Sequence, residues 1–147
     1  MVPIPGAYEF VQRFHPAYRL IVVTSSRGEI ADYHMKRMGV REKISAIMGY
    51  ESTENHKPHP EPFIEGAKST GIRPENFAAV DDWERGGEGA RAAGMRWIAV
   101  PGEWTSDGDF SRADAVVKSL NDITIDLIRD IEKRRNGGDN QCHYQQG

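Results

Sequence analysis

The sequence predicts an α/β fold in which a parallel sheet has helices on both faces. Short apolar runs alternate along the chain with segments whose apolar residues recur at helical spacing, the pattern of strand–helix–strand units. Loops that follow three of these runs carry a hydroxyl cluster at 24–26, a lysine at position 57 and an acidic pair at 81–82. Because right-handed crossovers bring the carboxyl ends of parallel strands to one edge, we expect these groups to meet there.

The first part of the chain predicts a helix, a strand and a second helix. Apolar residues fall on one side of a helix over 5–14, which ends before Pro16 because a proline disfavours helical geometry in the preceding residue. The β-branched run 19–23 predicts a buried strand. A helix over 29–38 would end at Gly39. One face of that helix would consist of Ile30, His34 and Met38.

The middle of the chain predicts a weaker strand, 45–49, and then a proline-rich loop. Two spaced prolines hold Lys57 in an extended conformation in this loop. Pro60 is well placed to begin a helix that ends near Gly71. The next apolar run, 77–80, predicts a buried strand that stops at two adjacent carboxylates.

The last part of the chain predicts a glycine-containing helix, two strands and a final helix. The helix over 84–93 contains three glycines, each about 1 kcal/mol worse than alanine, which indicates close backbone approach or a frayed first turn. The strands are 96–100 and 114–118, and Ser119 offers a cap for the final helix. The core-facing residues of that helix would be Leu120, Ile123, Leu127 and Ile131.

Length and composition indicate one domain, 1–135, followed by a polar, glycine-rich tail, 136–147, which we expect to be disordered. A net charge of −3 gives no basic surface for nucleic acid or anionic membranes. No apolar run approaches the roughly 20 residues of a membrane span. The single cysteine, Cys142, cannot form an internal disulfide, which fits a reducing compartment. We therefore expect a cytoplasmic protein that binds neither nucleic acid nor membrane.

Each polar loop has an ordinary structural interpretation beside a functional one. The hydroxyl of Thr24 can cap the next helix or bind phosphate. Lys57 can be a solvated surface lysine or can place a charge on a phosphate. Asp81 and Asp82 can be solvated turn residues or ligands of Mg²⁺. Together, a hydroxyl, a lysine and an acidic pair at one sheet edge predict a phosphate-plus-magnesium site more specifically than any one of them does.

In order and spacing, these residues resemble the haloacid dehalogenase-like (HAD) hydrolase superfamily, and most closely its phosphatases and phosphomutases related to phosphoglycolate phosphatase and β-phosphoglucomutase. The similar segments are Val22-Val23-Thr24-Ser25-Ser26 (second family motif), Lys57-Pro58-x-Pro60-Glu61-x-Phe63 (third) and Val80-Asp81-Asp82-x-x-x-Gly86 (fourth). The resemblance implies a Rossmann-like core. It also implies a phosphoryl-transfer reaction that depends on Mg²⁺ and acts on a small phosphorylated metabolite.

The resemblance also implies a role for each matching residue. Thr24 and Lys57 would be catalytic, and both would bind the phosphoryl group together with the backbone of Ser25. Lys57 would neutralise the phosphate and the nucleophile. Asp82 would coordinate Mg²⁺ directly, and Asp81 would ligate the ion or hold its water.

Two histidines, His56 and His59, flank Lys57-Pro58 in the sequence. His56 stands where the family usually has glycine. The spacing of His56 and His59 can suggest a separate metal site, but in an extended loop beside the lysine we expect them to support the site or to be solvated.

The sequence departs from the family at its start. The family's first motif, a strand that ends in Asp-x-Asp-Gly-Thr and supplies the nucleophile and the general acid/base, is not found before Pro5, and the helical cap domain is absent too. The Asp-x-Asp at 107–109 is predicted to lie in a turn. In the family, the missing strand lies between the strands that match 20–23 and 77–80. These two must therefore pair directly or leave two open edges.

These departures limit the functional expectation. We expect a truncated, partial HAD core at 1–135 that has little or no phosphatase activity as written, although the full-length parent would be a phosphomonoester hydrolase or phosphomutase. The alternative is a non-catalytic remnant that binds phosphate or a partner through the surviving loops. A complementing chain that supplies the first strand, or self-association through the exposed strand edges, is a further expectation.

Overall fold

The computed structural model of the chain describes residues 5–136 and 143–144. The helices in these residues are α1 (Ala7–Phe14), α2 (Gly28–Met38), α3 (Glu61–Thr70), α4 (Glu84–Ala92) and α5 (Ile125–Asn136). The strands are β1 (Ile21–Val23), β2 (Ala46–Met48), β3 (Ala78–Asp81), β4 (Arg96–Ala99), β5 (Ala115–Val116) and β6 (His143–Tyr144). Each predicted helix and strand is present, and most of their boundaries differ from the prediction by one or two residues.

The strands form two parallel sheets. β1 pairs with β2, and the second sheet has the order β3-β4-β5-β6. Every pairing is parallel. The α/β class with a parallel sheet is therefore confirmed, but the sheet is divided between β1 and β3.

Among the residues that the structure describes, no strand pairs with one edge of β1, which is therefore open. The Leu20 carbonyl and the Thr24 amide both bond to the β2 segment. Because successive residues of a strand direct their backbone groups to opposite sides, Ile21 and Val23 direct theirs away from β2. The residues of β1 are only half-buried, as expected for a strand that lacks one neighbour.

One edge of β3 is open in the same way within the described part of the chain. The carbonyls of Phe77 and Asp81 accept hydrogen bonds from the β4 segment, so Ala78 and Val80 direct their backbone groups to the other side. All of β3 is half-buried, whereas Trp97, Ile98 and Ala99 of β4 are fully buried. Of the two predicted outcomes, direct pairing or two open edges, the structure shows the second.

The glycines of α4 allow close contacts with neighbouring elements. A Cβ atom on Gly87 would lie 2.0 Å from the Trp97 ring, and one on Gly86 would lie 2.0 Å from a carboxylate oxygen of Asp81. A Cβ atom on Gly89 would lie 3.1 Å from the carbonyl oxygen of His59. The three glycines therefore reflect close backbone approach, the first of the two predicted explanations.

The predicted face of α2 is correct at Met38 and wrong at Ile30. Ile30 is 41% exposed, while Ala31 is buried and Met35 packs with Met38 against the cluster that contains Val40. The side of α2 that packs against its neighbours therefore contains Ala31, Met35 and Met38. The predicted stop is correct, since the next residue, Gly39, adopts φ +79° and closes the helix.

The predicted cap of the last helix is also wrong. Ser119 and Asp122 form a capping box around a short 3₁₀ turn rather than around α5. The amide of Leu127 instead donates to the Thr124 hydroxyl at 3.1 Å, so Thr124 caps α5. The predicted core-facing residues Leu120, Ile123, Leu127 and Ile131 are all buried in one cluster.

The predicted tail, 136–147, is described only at Asn136, the last residue of α5, and at β6. The rest of it lies outside the described residues, and its disorder stays a prediction. Within 5–136 and 143–144, no helix has the length and hydropathy needed to cross a bilayer.

Candidate functional site

Lys57 joins two loops at the carboxyl edge of the strands. Its Nζ donates to the carbonyl oxygen of Val23 at 3.3 Å and to Oδ2 of Asp81 at 2.7 Å. The side chains of Lys57 and Asp81 are only 9% and 11% exposed. Val23 directly precedes Thr24 and the other hydroxyl residues of 24–26 (the hydroxyl loop). This one ammonium group therefore brings that loop, the loop that contains Lys57 (the lysine loop) and the acidic pair together across the open edges of β1 and β3.

The Asp81 carboxylate is held on several sides. Its Oδ1 accepts a hydrogen bond from the Trp83 amide at 3.0 Å, while Oδ2 binds Lys57. The missing side chain of Gly86 leaves room for the carboxylate. The Trp97 indole donates to the Asp81 carbonyl at 3.3 Å, which anchors the end of β3 to β4. Asp81 is thus fixed in orientation before any ligand binds.

Asp82 lies beside it and is less restrained. The residue as a whole is exposed, yet nearby protein atoms remove part of the water from its carboxyl group. This desolvation, and after it the negative charge of Asp81, raises the pKa of Asp82 above its usual range. The two carboxylates therefore carry negative charge that Lys57 does not fully compensate.

This donor set fits Mg²⁺ as a partial coordination shell. Mg²⁺ commonly takes one or two carboxylates from the protein and completes its shell with water and substrate phosphate. Asp81 already accepts hydrogen bonds from Lys57 and from the Trp83 amide, and the Asp82 carboxyl group, which bonds to its own backbone and to Asp81, belongs to the more exposed residue of the two. Within the described residues, no group of three or more His, Cys, Asp and Glu side chains is arranged to hold a metal.

The Thr24 hydroxyl does not cap α2. It accepts a hydrogen bond from the Ser26 amide at 3.1 Å, and the N-cap residue of α2 is Arg27, whose side chain makes no capping bond. Thr24 is half-buried and Ser25 is exposed. The capping interpretation of these hydroxyls is therefore wrong, and the phosphate interpretation stays a prediction.

The amino end of α2 already holds an anionic group. Both oxygens of the Glu51 carboxylate accept from the Gly28 amide, at 2.9 and 3.1 Å. Backbone hydrogen bonds, including this one, lower the pKa of Glu51. Sequence reasoning missed this contact, because a glutamate after a short strand carries no local signal of a partner 23 residues away.

The two histidines use ring nitrogens within their own loop. Nε2 of His56 lies 2.8 Å from the carbonyl oxygen of Tyr50, and Nδ1 of His59 accepts from the Glu61 amide at 3.1 Å. These bonds agree with a supporting role rather than with a separate metal site.

The only Asp-x-Asp of the sequence, 107–109, lies in the loop between β4 and β5. The Asp109 amide donates to Glu84 at 2.7 Å, and its carboxylate accepts from the Ser111 amide at 3.0 Å. Asp107 lies in a turn, as predicted. The segment therefore does not take the place of a strand that ends in a nucleophile.

Comparison with known proteins agrees with this geometry. A model of the haloacid dehalogenase-like hydrolase family matches residues 1–100. A pyrophosphatase (PpaX) from Halalkalibacterium halodurans is 30% identical over 130 residues, which are 86% of this chain and 60% of that protein. A phosphoglycolate phosphatase from Chromobacterium violaceum is 30% identical over 110 residues, 75% of this chain and 49% of that protein. The chain thus spans about half the length of these curated relatives.

Solved structures share the fold. CbbY from Rhodobacter sphaeroides, determined in complex with phosphate, superposes with a TM-score of 0.76 at 25% identity, over 81% of this chain and 55% of that one. A β-phosphoglucomutase from Clostridium difficile also gives 0.76, at 22% identity, over 91% of this chain and 58% of that one. On the family match, the chain belongs to the haloacid dehalogenase-like hydrolase family.

Proposed function

We propose that this chain forms the phosphate- and magnesium-binding half of a phosphoryl-transfer site, part of a phosphatase or phosphomutase that acts on a small phosphorylated metabolite. The observation that carries the proposal is the contact of Lys57 Nζ with both the Val23 carbonyl and the Asp81 carboxylate. A nearly buried ammonium group at the end of two parallel strands is positioned to neutralise a phosphoryl group. The names of the relatives, among them a phosphoglycolate phosphatase, support the substrate class.

Each site residue has a role in this proposal. Thr24 would donate its hydroxyl, and Ser25 its backbone amide, to the phosphoryl oxygens. Lys57 would balance their charge. Asp82 and Asp81 would hold Mg²⁺, which when bound supplies positive charge to the developing oxyanion. The raised pKa of Asp82 supports this assignment, since a cation beside the pair would relieve the same repulsion.

The proposal includes low activity of the chain as written. Hydrolysis through an aspartyl-phosphate needs a carboxylate that faces the phosphorus atom. In the part of the chain that the structure describes, the carboxylate bonded to Lys57 is Asp81, which we assign to the metal. We therefore expect phosphate binding without appreciable turnover.

Amide chemical-shift mapping tests the binding proposal. Addition of inorganic phosphate with Mg²⁺ should shift the backbone signals of 24–26 and 81–82, and the Lys57→Met variant should lose these shifts. The exposed Lys68 provides a matched control, since Lys68→Met should respond like the wild type. Equal shifts in all three proteins, or none in the wild type, would contradict the proposal.

A turnover assay tests the proposed low activity of the chain. With phosphomonoesters and Mg²⁺, the purified chain should release no phosphate above the Lys57→Met background. Appreciable release that depends on Lys57 would show that a nucleophile is present and would overturn the assignment of low activity.

We further propose that the open edges of β1 and β3 receive a strand, either from a complementing chain or from a second copy. The half-buried state of both strands supports this, and so do the backbone groups that point away from β2 and β4. Co-expression with an apolar segment that ends in Asp-x-Asp-Gly-Thr should restore Mg²⁺-dependent turnover. A stable complex without turnover would favour the alternative function, a non-catalytic module that binds phosphate or a partner.

We also propose a cytoplasmic location. The presence of a single cysteine supports it, because proteins of oxidising compartments commonly pair theirs. Fractionation of the producing cell checks this directly, and recovery outside the cytoplasm would contradict it.

A further inference from the structure

His56 and Tyr50 form a compact contact beside the lysine loop. Their rings stack with centroids 3.9 Å apart and an interplanar angle of 1°. Nε2 of His56 lies 2.8 Å from the Tyr50 carbonyl oxygen, and since a carbonyl only accepts, this nitrogen is the donor. One side chain thus contacts both the ring and the backbone of Tyr50.

Tyr50 is itself fixed to the hydroxyl loop. Its amide donates to the Ser26 carbonyl at 2.9 Å. The next residue, Glu51, binds the Gly28 amide at the start of α2. The turn at Tyr50–Ser52 follows β2 in the chain. These two bonds fix it to the loop that contains Thr24 and to the start of α2.

The lysine loop, which contains His56 and Lys57, is tied to α3 on its other side. Glu61, the first residue of α3, accepts from both the backbone and the side-chain amide of Asn55, at 2.9 and 2.8 Å. His56 thus links the backbone of the lysine loop to the hydroxyl loop through Tyr50, and Asn55, together with the Glu54 amide, links it to α3. Lys57 follows immediately, and its side chain enters the nearly buried contact with Asp81.

We propose that His56 is a positioning residue that holds the Lys57 ammonium group between the Val23 carbonyl and Asp81 by fastening the lysine loop to Tyr50. Without this contact, the segment that precedes Lys57 would be anchored only to α3, by the bonds of Glu54 and Asn55 to Glu61, and the ammonium group would sample positions away from Asp81. The functional meaning of this inference rests on the proposed phosphate role of Lys57, but the positioning itself does not.

Acylation of lysines by an amine-reactive ester, followed by mass spectrometry, measures how accessible the Lys57 ammonium group is. The measurement needs no bound phosphate. The nearly buried, ion-paired Lys57 should react slowly in the wild type. His56→Gly should raise its rate about tenfold, because loss of one hydrogen bond and one ring contact makes local opening easier. The exposed Lys36 and Lys68 should keep their wild-type rates, which shows that the reagent acts equally on both proteins, and an unchanged urea-unfolding midpoint shows that the fold is intact.

Three further variants separate the causes. His56→Phe keeps a ring for stacking without the donor, and His56→Gln offers a donor without the ring, so both should lie between the wild type and His56→Gly. His59→Gly alters a neighbouring histidine of the same loop and should leave the Lys57 rate unchanged. An unchanged rate in His56→Gly, or an equal rise in His59→Gly, would overturn the proposal.

Phosphate binding then distinguishes this inference from the proposed function. If the wild type binds phosphate, His56→Gly should weaken binding and His56→Gln should partly restore it. If the acylation rates change as expected but the wild type binds no phosphate, the positioning role stands and the proposed function of Lys57 fails.

Discussion

At the scale of single residues, the site depends on an ion pair that is almost fully buried. Lys57 and Asp81 lie 2.7 Å apart, and each lacks most of its hydration. A buried pair of this kind adds little net stability over an apolar pair, but removal of one partner leaves an uncompensated charge. The residue types of this pair are visible in the sequence. Their contact is not, because it joins loops 24 residues apart.

The first prediction follows from this asymmetry. Lys57→Met should lower the free energy of unfolding by about 3–5 kcal/mol, because the Asp81 carboxylate stays buried without its partner. The double variant Lys57→Met/Asp81→Asn should recover much of that loss, since the charge is then removed too. Urea unfolding of both variants and of Asp81→Asn gives the coupling free energy. A coupling near zero would show that the pair is solvated.

At the scale of elements, Glu51 anchors the start of α2 from a turn outside the helix. Its pKa is lowered, so the folded state favours the ionised carboxylate more than the unfolded chain does. The corresponding stability is present above the unfolded-state pKa, near 4.5, and is lost as the pH falls through the lower folded-state value. The contact thus makes the stability of this element dependent on acidity.

The second prediction is that Glu51→Gln is less stable than the wild type at neutral pH, and that the difference shrinks as the pH falls below the unfolded-state value. Thermal unfolding at several pH values measures it. Glu29→Gln is a suitable control, because Glu29 is an exposed residue in the first turn of the same helix and makes no contact with the Gly28 amide. A difference between Glu51→Gln and the wild type that does not vary with pH would contradict the prediction.

The third prediction concerns the close packing of α4. Gly87→Ala should destabilise the protein by about 1–3 kcal/mol despite the better helix propensity of alanine, because the new methyl group would overlap the buried Trp97 ring. Gly66→Ala in α3 should be less harmful, since its nearest neighbour is the flexible end of Ile21. Denaturant unfolding compares the two, and equal losses would contradict the packing argument.

At the scale of the whole molecule, the sequence allowed the order of elements from α1 to α5, the parallel pairing and the residues at the carboxyl edge to be predicted. These depend on local patterns of apolar residues and on the handedness of crossovers. The face of α2, the cap of α5 and the Tyr50–His56 contact could not be predicted in this way. Each depends on distant neighbours, as the burial of Ala31 in place of Ile30 shows. The divided sheet was one of two outcomes that the sequence left open.

The fourth prediction concerns the open edge of β3, where the sheet is divided. The Ala78 amide points to the open edge of β3, whereas Ala79 shares the direction of the Phe77 and Asp81 carbonyls, which bond β4. Proline removes the amide hydrogen at little change in size, and Phe77 already has the extended backbone that the residue before a proline requires. Ala78→Pro should therefore keep the fold and weaken strand addition or self-association, measured by sedimentation over a range of concentrations.

Ala79→Pro is the matched control for this experiment. It removes an amide on the β4 side, so it should destabilise the sheet itself, which circular dichroism during urea unfolding detects. If instead Ala78→Pro associates as strongly as the wild type, the open edge of β3 is not the surface that a second strand uses. If the two prolines destabilise the fold equally, the alternation of backbone groups along β3 does not make Ala78 the more tolerant position, which would contradict the prediction.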